Sequence, residues 1–391
     1  MRFLKSPKFL ILLIVFVNFL GYGIVFPILP IMAEEYGGNP IISGILIASF
    51  SIMQVISMPI LGRLSDRYGR RPLLIFSLAG TVISFTIMGM THSIFWLLIA
   101  RIIDGASGGN LSIAQAYIAD ITSRQNRAGG MGILAAGISL GFIMGPLWGG
   151  FFSKISLAAP FYAAAIITAF SVVLTFFFLP ESVGKKEITY EKKYFHFGSF
   201  LRSLKSNSFI SFYIVNLLIF WSQSAVFTTM SLFGKDVLSL SVAGVSLLFA
   251  FGGIISVLIQ GFLVGRLVKL FSEERIFIGG SLLTILGFAV LAKSSTISLF
   301  FLGNTIYSIG GSLLVPLIQS LVSERSPQHE QGGNLGLLQS FGSFGRIIGP
   351  IVAGFIYEKY SPFAPAIMGA VIMTVIFLLS LRLFKVRKNL S

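Results

Sequence analysis

The sequence predicts an all-α membrane protein: twelve transmembrane helices arranged as two pseudo-symmetric six-helix bundles. Of its 391 residues, 55% are hydrophobic and 11% charged, with a mean hydropathy of +0.89, so most of the chain must avoid water. Apolar stretches of roughly 20 residues, the length at which a helix crosses a hydrocarbon core, recur along nearly the whole sequence. The shorter alternating segments of a membrane β-barrel are not seen. Sequence marks in the first half also recur in the second at a fixed offset.

The first span, near residues 9–30, follows Arg2, Lys5 and Lys8 and so resembles a signal peptide. It lacks a small-residue cleavage site and is read as a retained helix. Span 2 (43–62) ends in a charged turn, and span 3 (73–94) leaves it. Span 4 (96–119) carries buried charges, span 5 (131–153) holds glycines around Pro146, and span 6 (159–179) stops before Pro180. The longest polar connection, residues 181–208, carries Lys185, Lys186, Lys192, Lys193, Arg202 and Lys205. It separates a first bundle at 1–180 from a second at 209–391. Spans 7 (209–232), 8 (242–265), 9 (276–293), 10 (298–322), 11 (334–357) and 12 (362–384) complete the chain. The basic linker is read as flanking charge beside the membrane lipids rather than a dedicated grip on anionic headgroups.

Lys and Arg set the orientation. The termini and alternate connections hold 23 of them, whereas the other face holds four: Lys154, Lys235, Lys293 and Lys359. The positive-inside rule therefore places both termini in the cytoplasm and the chain in the inner, cytoplasmic membrane. The net charge of +15 follows from this asymmetry and does not call for nucleic acid. With no cysteine, disulfides, iron–sulfur clusters and thiol chemistry are excluded. The three histidines, His92, His196 and His329, are scattered, so no metal or cofactor is expected. The spans show no nucleophile, metal cluster or acid pair, and no phosphate-binding loop occurs, so neither an enzyme nor an ATP-driven pump is expected.

The internal repeat is specific. Gly141-Phe142-Ile143-Met144-Gly145-Pro146 in span 5 matches Gly345-Arg346-Ile347-Ile348-Gly349-Pro350 in span 11, 204 residues later. The same offset pairs Gly132 with Gly336, Gln115 with Gln319, and Asp120 with Glu324, while an offset of 203 takes Gly62-Arg63-Leu64 to Gly265-Arg266-Leu267. Two matching halves imply a two-fold axis along the membrane normal and a cavity between them near mid-membrane. Rocking of one half against the other then exposes that cavity to alternate sides.

Between spans 2 and 3 lies Gly62-Arg63-Leu64-Ser65-Asp66-Arg67-Tyr68-Gly69-Arg70-Arg71-Pro72. Gly69 permits positive φ, and Asp66 can accept charge-assisted hydrogen bonds. This segment resembles the signature loop of the major facilitator superfamily, and the resemblance extends over the whole chain. It implies a conformational latch formed by Gly62, Asp66, Gly69, Arg70 and Asp120. The second copy, Gly265 to Lys269, lacks the aspartate, so a weaker latch is expected there.

In span 5, Gly141, Gly145, Pro146, Gly149 and Gly150 resemble the signature of the drug:proton antiporter branch. With Gly349 and Pro350 they are expected to form a hinge and seal between halves. Span 1, from Asn18 through Gly21, Gly23, Pro27 and Pro30, is similar to the tetracycline-efflux group, as are Ala116 to Thr122 and Leu179-Pro180-Glu181-Ser182. That group commonly has an acid in span 1 where this chain has Asn18, so its proton-coupling residue does not carry over. The resemblance implies proton-driven export of drugs or small amphipathic metabolites, with a monomer as the expected assembly.

Arg101, Asp104 and Arg346 are the charged residues deep within spans, and each costs about 2.5–3.5 kcal/mol to insert, so function is the default reading. Arg101 and Asp104 share one face of span 4 and can pair within it; alternatively, Arg346 meets Asp104 across the halves as a gate. Proton coupling needs a protonatable acid, and Asp104, beside Arg101, is the mid-membrane candidate. If Arg101 neutralises Asp104, the remaining charge is positive, which favours the alternative of a facilitator or symporter for an anionic metabolite. The cavity spans implied by the resemblance supply Asn18, Tyr22, Asn110, Gln115, Trp221, Gln223, Phe227, Asn304, Tyr307 and Gln319. With Arg346 they give a ring-rich site with a few amides, suited to broad apolar ligands.

Overall fold

The computed structural model describes residues 6–123, 126–182, 209–327 and 330–385. Its regular elements are all helical. The first three spans are α1 (Pro7–Glu35), α2 (Pro40–Tyr68) and α3 (Arg70–Met90). The fourth divides into α4 (Ile94–Ala106) and α5 (Asn110–Ile121), and α6 (Arg127–Phe152) and α7 (Ala159–Phe178) complete the first bundle. The second bundle begins with α8 (Ile210–Asp236). Its next span is α9 (Val242–Leu258), a π-helical turn at Ile259–Leu263, and α10 (Val264–Leu270). Then come α11 (Glu273–Leu291), α12 (Ile297–Arg325), α13 (Gln331–Lys359) and α14 (Ala364–Lys385). The linker lysines and arginine from Lys185 to Lys205 lie outside the described residues.

Among the described residues, eleven helical segments are long and apolar enough to cross a membrane unaided; the twelfth span is α4 with α5. The continuous helix expected over 96–119 is thus corrected to a broken one. At the break, Gly108 N bonds Gly105 O at 3.0 Å and Gly109 N bonds Ser107 O at 2.8 Å. Two consecutive glycines with low helix propensity permit the interruption. α2 starts earlier than the apolar run predicts because Asn39 caps it, accepting from Ile42 N at 3.0 Å, with Pro40 at its first position. It ends at Gly69, whose φ of +102° turns the chain directly into α3.

Each bundle has its own apolar core. Leu20, Ile24, Phe85 and Phe161 pack in one layer of the first, and Leu10, Ile14, Leu78 and Tyr117 in another. Tyr213, Phe277, Phe288 and Leu314 centre the second. The repeated glycines explain how the first and fifth spans of each bundle pack. A Cβ at Gly145 would stand 2.6 Å from Leu20 O and 2.7 Å from Gly23 Cα. Its counterpart at Gly349 would stand 2.6 Å from Trp221 O. Small residues here let two backbones approach.

The hinge expectation is therefore redrawn. Gly141, Gly145, Pro146 and Gly149 face α1, and Gly349 faces α8, each within its own bundle. Gly150 and Pro350 face the other half. A Cβ on Gly150 would stand 2.9 Å from Ser246 Cβ, and one on Gly44 would meet Pro350 O. Helical phase is the reason: positions 141, 145 and 149 share a face, whereas 150 lies about 100° around the helix.

The halves meet at the end opposite the basic face. There Lys235 Nζ pairs with Glu34 Oε2 at 2.8 Å, and Ser231 Oγ donates to Phe26 O at 2.7 Å. Towards the basic face the corresponding helix ends separate. Among the described residues, and apart from the chain neighbours and nearby backbone of the same helix, no atom lies within 4 Å of where a Cβ would stand at Gly62 of α2, Gly132 of α6, Gly261 and Gly265 of the eighth span, or Gly336 of α13. The molecule thus holds a cleft that is closed at one end and open on the basic face.

Candidate functional site

A row of aromatic rings lies between the bundles where the cleft closes. Tyr22 and Phe26 of α1 have centroids 6.3 Å apart. Phe26 meets Phe227 of α8 at 5.6 Å, and Phe227 meets Phe249 of α9 at 6.0 Å. Tyr22 also meets Phe50 of α2 edge-on at 4.8 Å and donates its hydroxyl to Gln54 Oε1 at 3.1 Å. Glycine at position 23 and the long α1 place these rings one turn apart on a face turned towards α8. Trp221, Gln223 and Asn18 are half-buried, and Gln223 Nε2 approaches Gly311 of α12.

The charged cluster sits beside this row in the first bundle. Arg101 Nη1 and Asp104 Oδ2 are 3.1 Å apart, and the two residues are 3% and 7% exposed. Arg101 Nε donates to Leu46 O at 3.3 Å, and its guanidinium carbon lies 4.4 Å from the Phe50 ring centroid. The three-residue spacing puts both side chains on one helix face, so of the two pairings the sequence leaves open, the one within α4 is formed. Arg346, midway along α13, has no carboxylate partner among the described residues. Its guanidinium lies 4.3 Å from the Phe220 centroid.

Three expected cavity residues are buried instead. Tyr307 is 4% exposed and packs on Phe288 at 5.0 Å, inside the second bundle. Asn304 is buried with it and donates to Leu248 O at 3.2 Å. Asn110 is 1% exposed, and neither atom of its amide has a partner among the described residues. The three corrections have one cause: spans apolar on all sides carry no phase signal to say which face meets the cleft. Gln115 is exposed and Gln319 half-buried, nearer the basic face. Gln54 and Phe50 were missed because they lie on span 2, outside the spans searched for cavity residues.

The charged turn is assembled at the basic face. Arg70 pairs with Asp66 at 2.5 Å and, through Nε, with Asp120 Oδ2 at 3.1 Å. Arg70 Nη1 donates to Ser65 Oγ at 2.7 Å. Glu181, which the sequence reading did not assign, accepts from Arg70 N at 2.8 Å and Arg71 N at 3.1 Å. It therefore caps the N-terminus of α3, where a negative charge is favoured. Gly62 is half-buried, with open space where a Cβ would stand, and Gly69 provides the positive-φ turn. In this state the turn binds its own bundle and none of its residues pairs with α13 among the described residues.

Residues 11–269 and 254–390 match the Major Facilitator Superfamily. The chain is 32% identical over 364 residues to the class C tetracycline resistance protein of Escherichia coli, covering 90% of this chain and 91% of that one. It is also 32% identical over 366 residues to multidrug resistance protein 2 of Bacillus subtilis (strain 168), covering 90% of each. The crystal structure of the nucleoside transporter NupG has the same fold, with a TM-score of 0.80 over 97% of this chain and 99% of that one at 16% identity. A split, ring-lined cleft between two six-helix bundles accords with these likenesses, and the chain belongs to the Major Facilitator Superfamily as a multi-pass membrane transporter rather than an enzyme.

Proposed function

We propose that this transporter exports drugs or similar amphipathic compounds from the cytoplasm in exchange for protons, by alternating access. The observation that carries the reading is a cleft closed at one end and open on the basic face, with one buried carboxylate beside its apex. The positive-inside rule makes the basic face cytoplasmic, with both termini there, so the structure corresponds to a state that loads substrate from the cytoplasm. The relatives' names, tetracycline resistance and multidrug resistance, support export of such compounds.

In this reading substrate enters the open cleft and rests on the rings of Tyr22, Phe26 and Phe227. The halves then rock, Glu34 and Lys235 part, and the cytoplasmic ends close. Asp66 is released to meet the second bundle, and the Arg70–Asp120 pair holds the turn in shape. Movement of α4 against α2, whose Leu46 O holds Arg101 Nε, draws the Arg101 side chain away from Asp104, and the isolated carboxylate is neutralised by a proton from outside. On return the ion pair re-forms and the proton leaves to the cytoplasm. The chain acts as a monomer, since both halves of the cleft come from one polypeptide.

A second reading, a facilitator or symporter for an anionic metabolite, is favoured by Arg346, which has no carboxylate partner among the described residues, and by Asn18 in place of an acid. Proteoliposomes containing a pH dye separate the two. Substrate-driven proton movement that is present in the wild type and lost in Asp104→Asn is expected. Substrate flux with no proton movement would replace export by antiport with facilitation.

A further inference from the structure

The feature the export cycle leaves unused is Arg346. It stands near the middle of α13 (Gln331–Lys359), half-buried, with Phe220 against its guanidinium at 4.3 Å. A guanidinium carries five N–H donors, and none of Arg346's has a protein acceptor among the described residues. Nor does any carboxylate neutralise it there. Arg101, the other mid-membrane arginine, is matched by Asp104 at 3.1 Å, so the cluster Arg101, Asp104 and Arg346 keeps one uncompensated positive charge.

Charges in the membrane interior are retained where they face a water-filled cavity or a partner. Arg346 lies one helical turn before Pro350, whose carbonyl meets Gly44 of α2, so it stands on the side of α13 turned to the other bundle, towards the open end of the cleft. Phe220 covers one side of the guanidinium by a cation–π contact, while the donors remain available. A planar fork of this kind matches a carboxylate in two parallel hydrogen bonds. Two turns along the same face of α8 from Phe220, about 10.5 Å, stands Phe227, where the rings of Tyr22, Phe26, Phe227 and Phe249 run from one bundle to the other at centroid separations of 6.3, 5.6 and 6.0 Å. Such a row favours another flat ring in offset or edge contact.

We infer that Arg346 is an anion subsite and that the preferred substrates are planar aromatic acids or larger amphipathic molecules bearing an aromatic carboxylate. The carboxylate lies in the Arg346 fork, and the ring system lies against the Tyr22–Phe227 row. This assignment rests on the cleft being the substrate site. It predicts that a bare cation of the same shape is the poorest ligand, because it would meet an uncompensated guanidinium.

Isothermal titration of the purified full-length protein in detergent tests this with three probes of nearly one shape: 1-naphthoate, neutral 1-naphthamide and cationic 1-naphthylmethylammonium. The wild type is expected to bind naphthoate at least about tenfold tighter than naphthamide, the scale of a hydrogen bond to a charged group, with the cation weakest. Arg346→Gln is expected to bring naphthoate down to about the affinity of naphthamide and to weaken naphthamide, whose carbonyl accepts only a neutral-strength hydrogen bond, by no more than about threefold, its retained binding showing that the variant is folded. Arg346→Lys, which keeps the charge and loses the fork, is expected to fall between. Equal affinities in the wild type, no binding of naphthoate, or an equal loss for both probes in Arg346→Gln would overturn the inference, and the wild-type comparison decides even if the glutamine variant fails to fold. Carboxylate preference without proton-coupled flux would sink the export reading and keep the subsite; proton-coupled flux without that preference would do the reverse.

Discussion

Replacing Asp104 by Asn tests the buried ion pair in two ways at once, through stability and through proton movement. Breaking a buried pair from one side costs about 3–5 kcal/mol, because the remaining charge is left uncompensated. Here the loss is softened: the amide oxygen can still accept from Arg101, and the guanidinium keeps Leu46 O at 3.3 Å and the Phe50 face at 4.4 Å. Since a cation–π contact contributes about 0.5–2 kcal/mol, a loss of about 2–3 kcal/mol is expected. Removing the stranded charge as well, in Arg101→Gln with Asp104→Asn, should recover at least half of it. Thermal unfolding of the detergent-purified protein gives the stability order, and proteoliposomes with a pH dye give the coupling. The expected order of stability is wild type, double variant, single variant, and neither variant moves protons although both bind substrate. Wild-type proton movement by Asp104→Asn, or a double variant less stable than the single, would refute the reasoning.

Three further outcomes follow from the packing. Gly145→Ala places a methyl 2.6 Å from Leu20 O and 2.7 Å from Gly23 Cα and should lower stability by about 1–3 kcal/mol in thermal unfolding, as overpacking does, whereas Gly132→Ala, with open space around it, should leave stability unchanged. Glu181→Gln removes the charged cap of α3, so amide hydrogen exchange in the first turn of α3 should quicken by an amount equivalent to a lost cap, about 0.5–2 kcal/mol; unchanged exchange would show that the carboxylate is not holding that turn. Lys235→Ala breaks the pair with Glu34 that spans the halves. Because Lys235 is 39% exposed, the effect is modest, with labelling of Ser231→Cys by a membrane-impermeant maleimide from outside rising by no more than about fivefold.

The sequence made some of this architecture legible and hid other parts for physical reasons. The Arg101–Asp104 pair is readable because a three-residue spacing fixes two side chains on one helix face. The Asp66, Arg70 and Asp120 constellation is readable through the resemblance of the charged turn to the superfamily's signature loop, which implies the partner at the end of span 4. Glu181 was hidden: its contact with Arg70 closes over 111 residues, and no local pattern links them. Likewise the break at Ser107–Gly109 is invisible to hydropathy, which sees one apolar stretch. Tyr307 and Asn110 went astray because uniformly apolar spans do not distinguish a cleft face from a packed one. The span 5 glycines carried a period of four, and that period was enough to predict close packing. It could not name the partner, which proved to be α1 of the same bundle.

Alternating access requires the closed end of the cleft to part in every cycle, and a covalent clamp there tests this most directly. The chain has no cysteine, so Gly150→Cys with Ser246→Cys introduces the only pair, at positions where the Cβ separation of 2.9 Å needs only a small outward shift to reach disulfide geometry. In proteoliposomes, oxidation should stop substrate flux, and reduction should restore it. Full flux through protein shown by gel mobility to be cross-linked would contradict alternating access by rocking of the two halves.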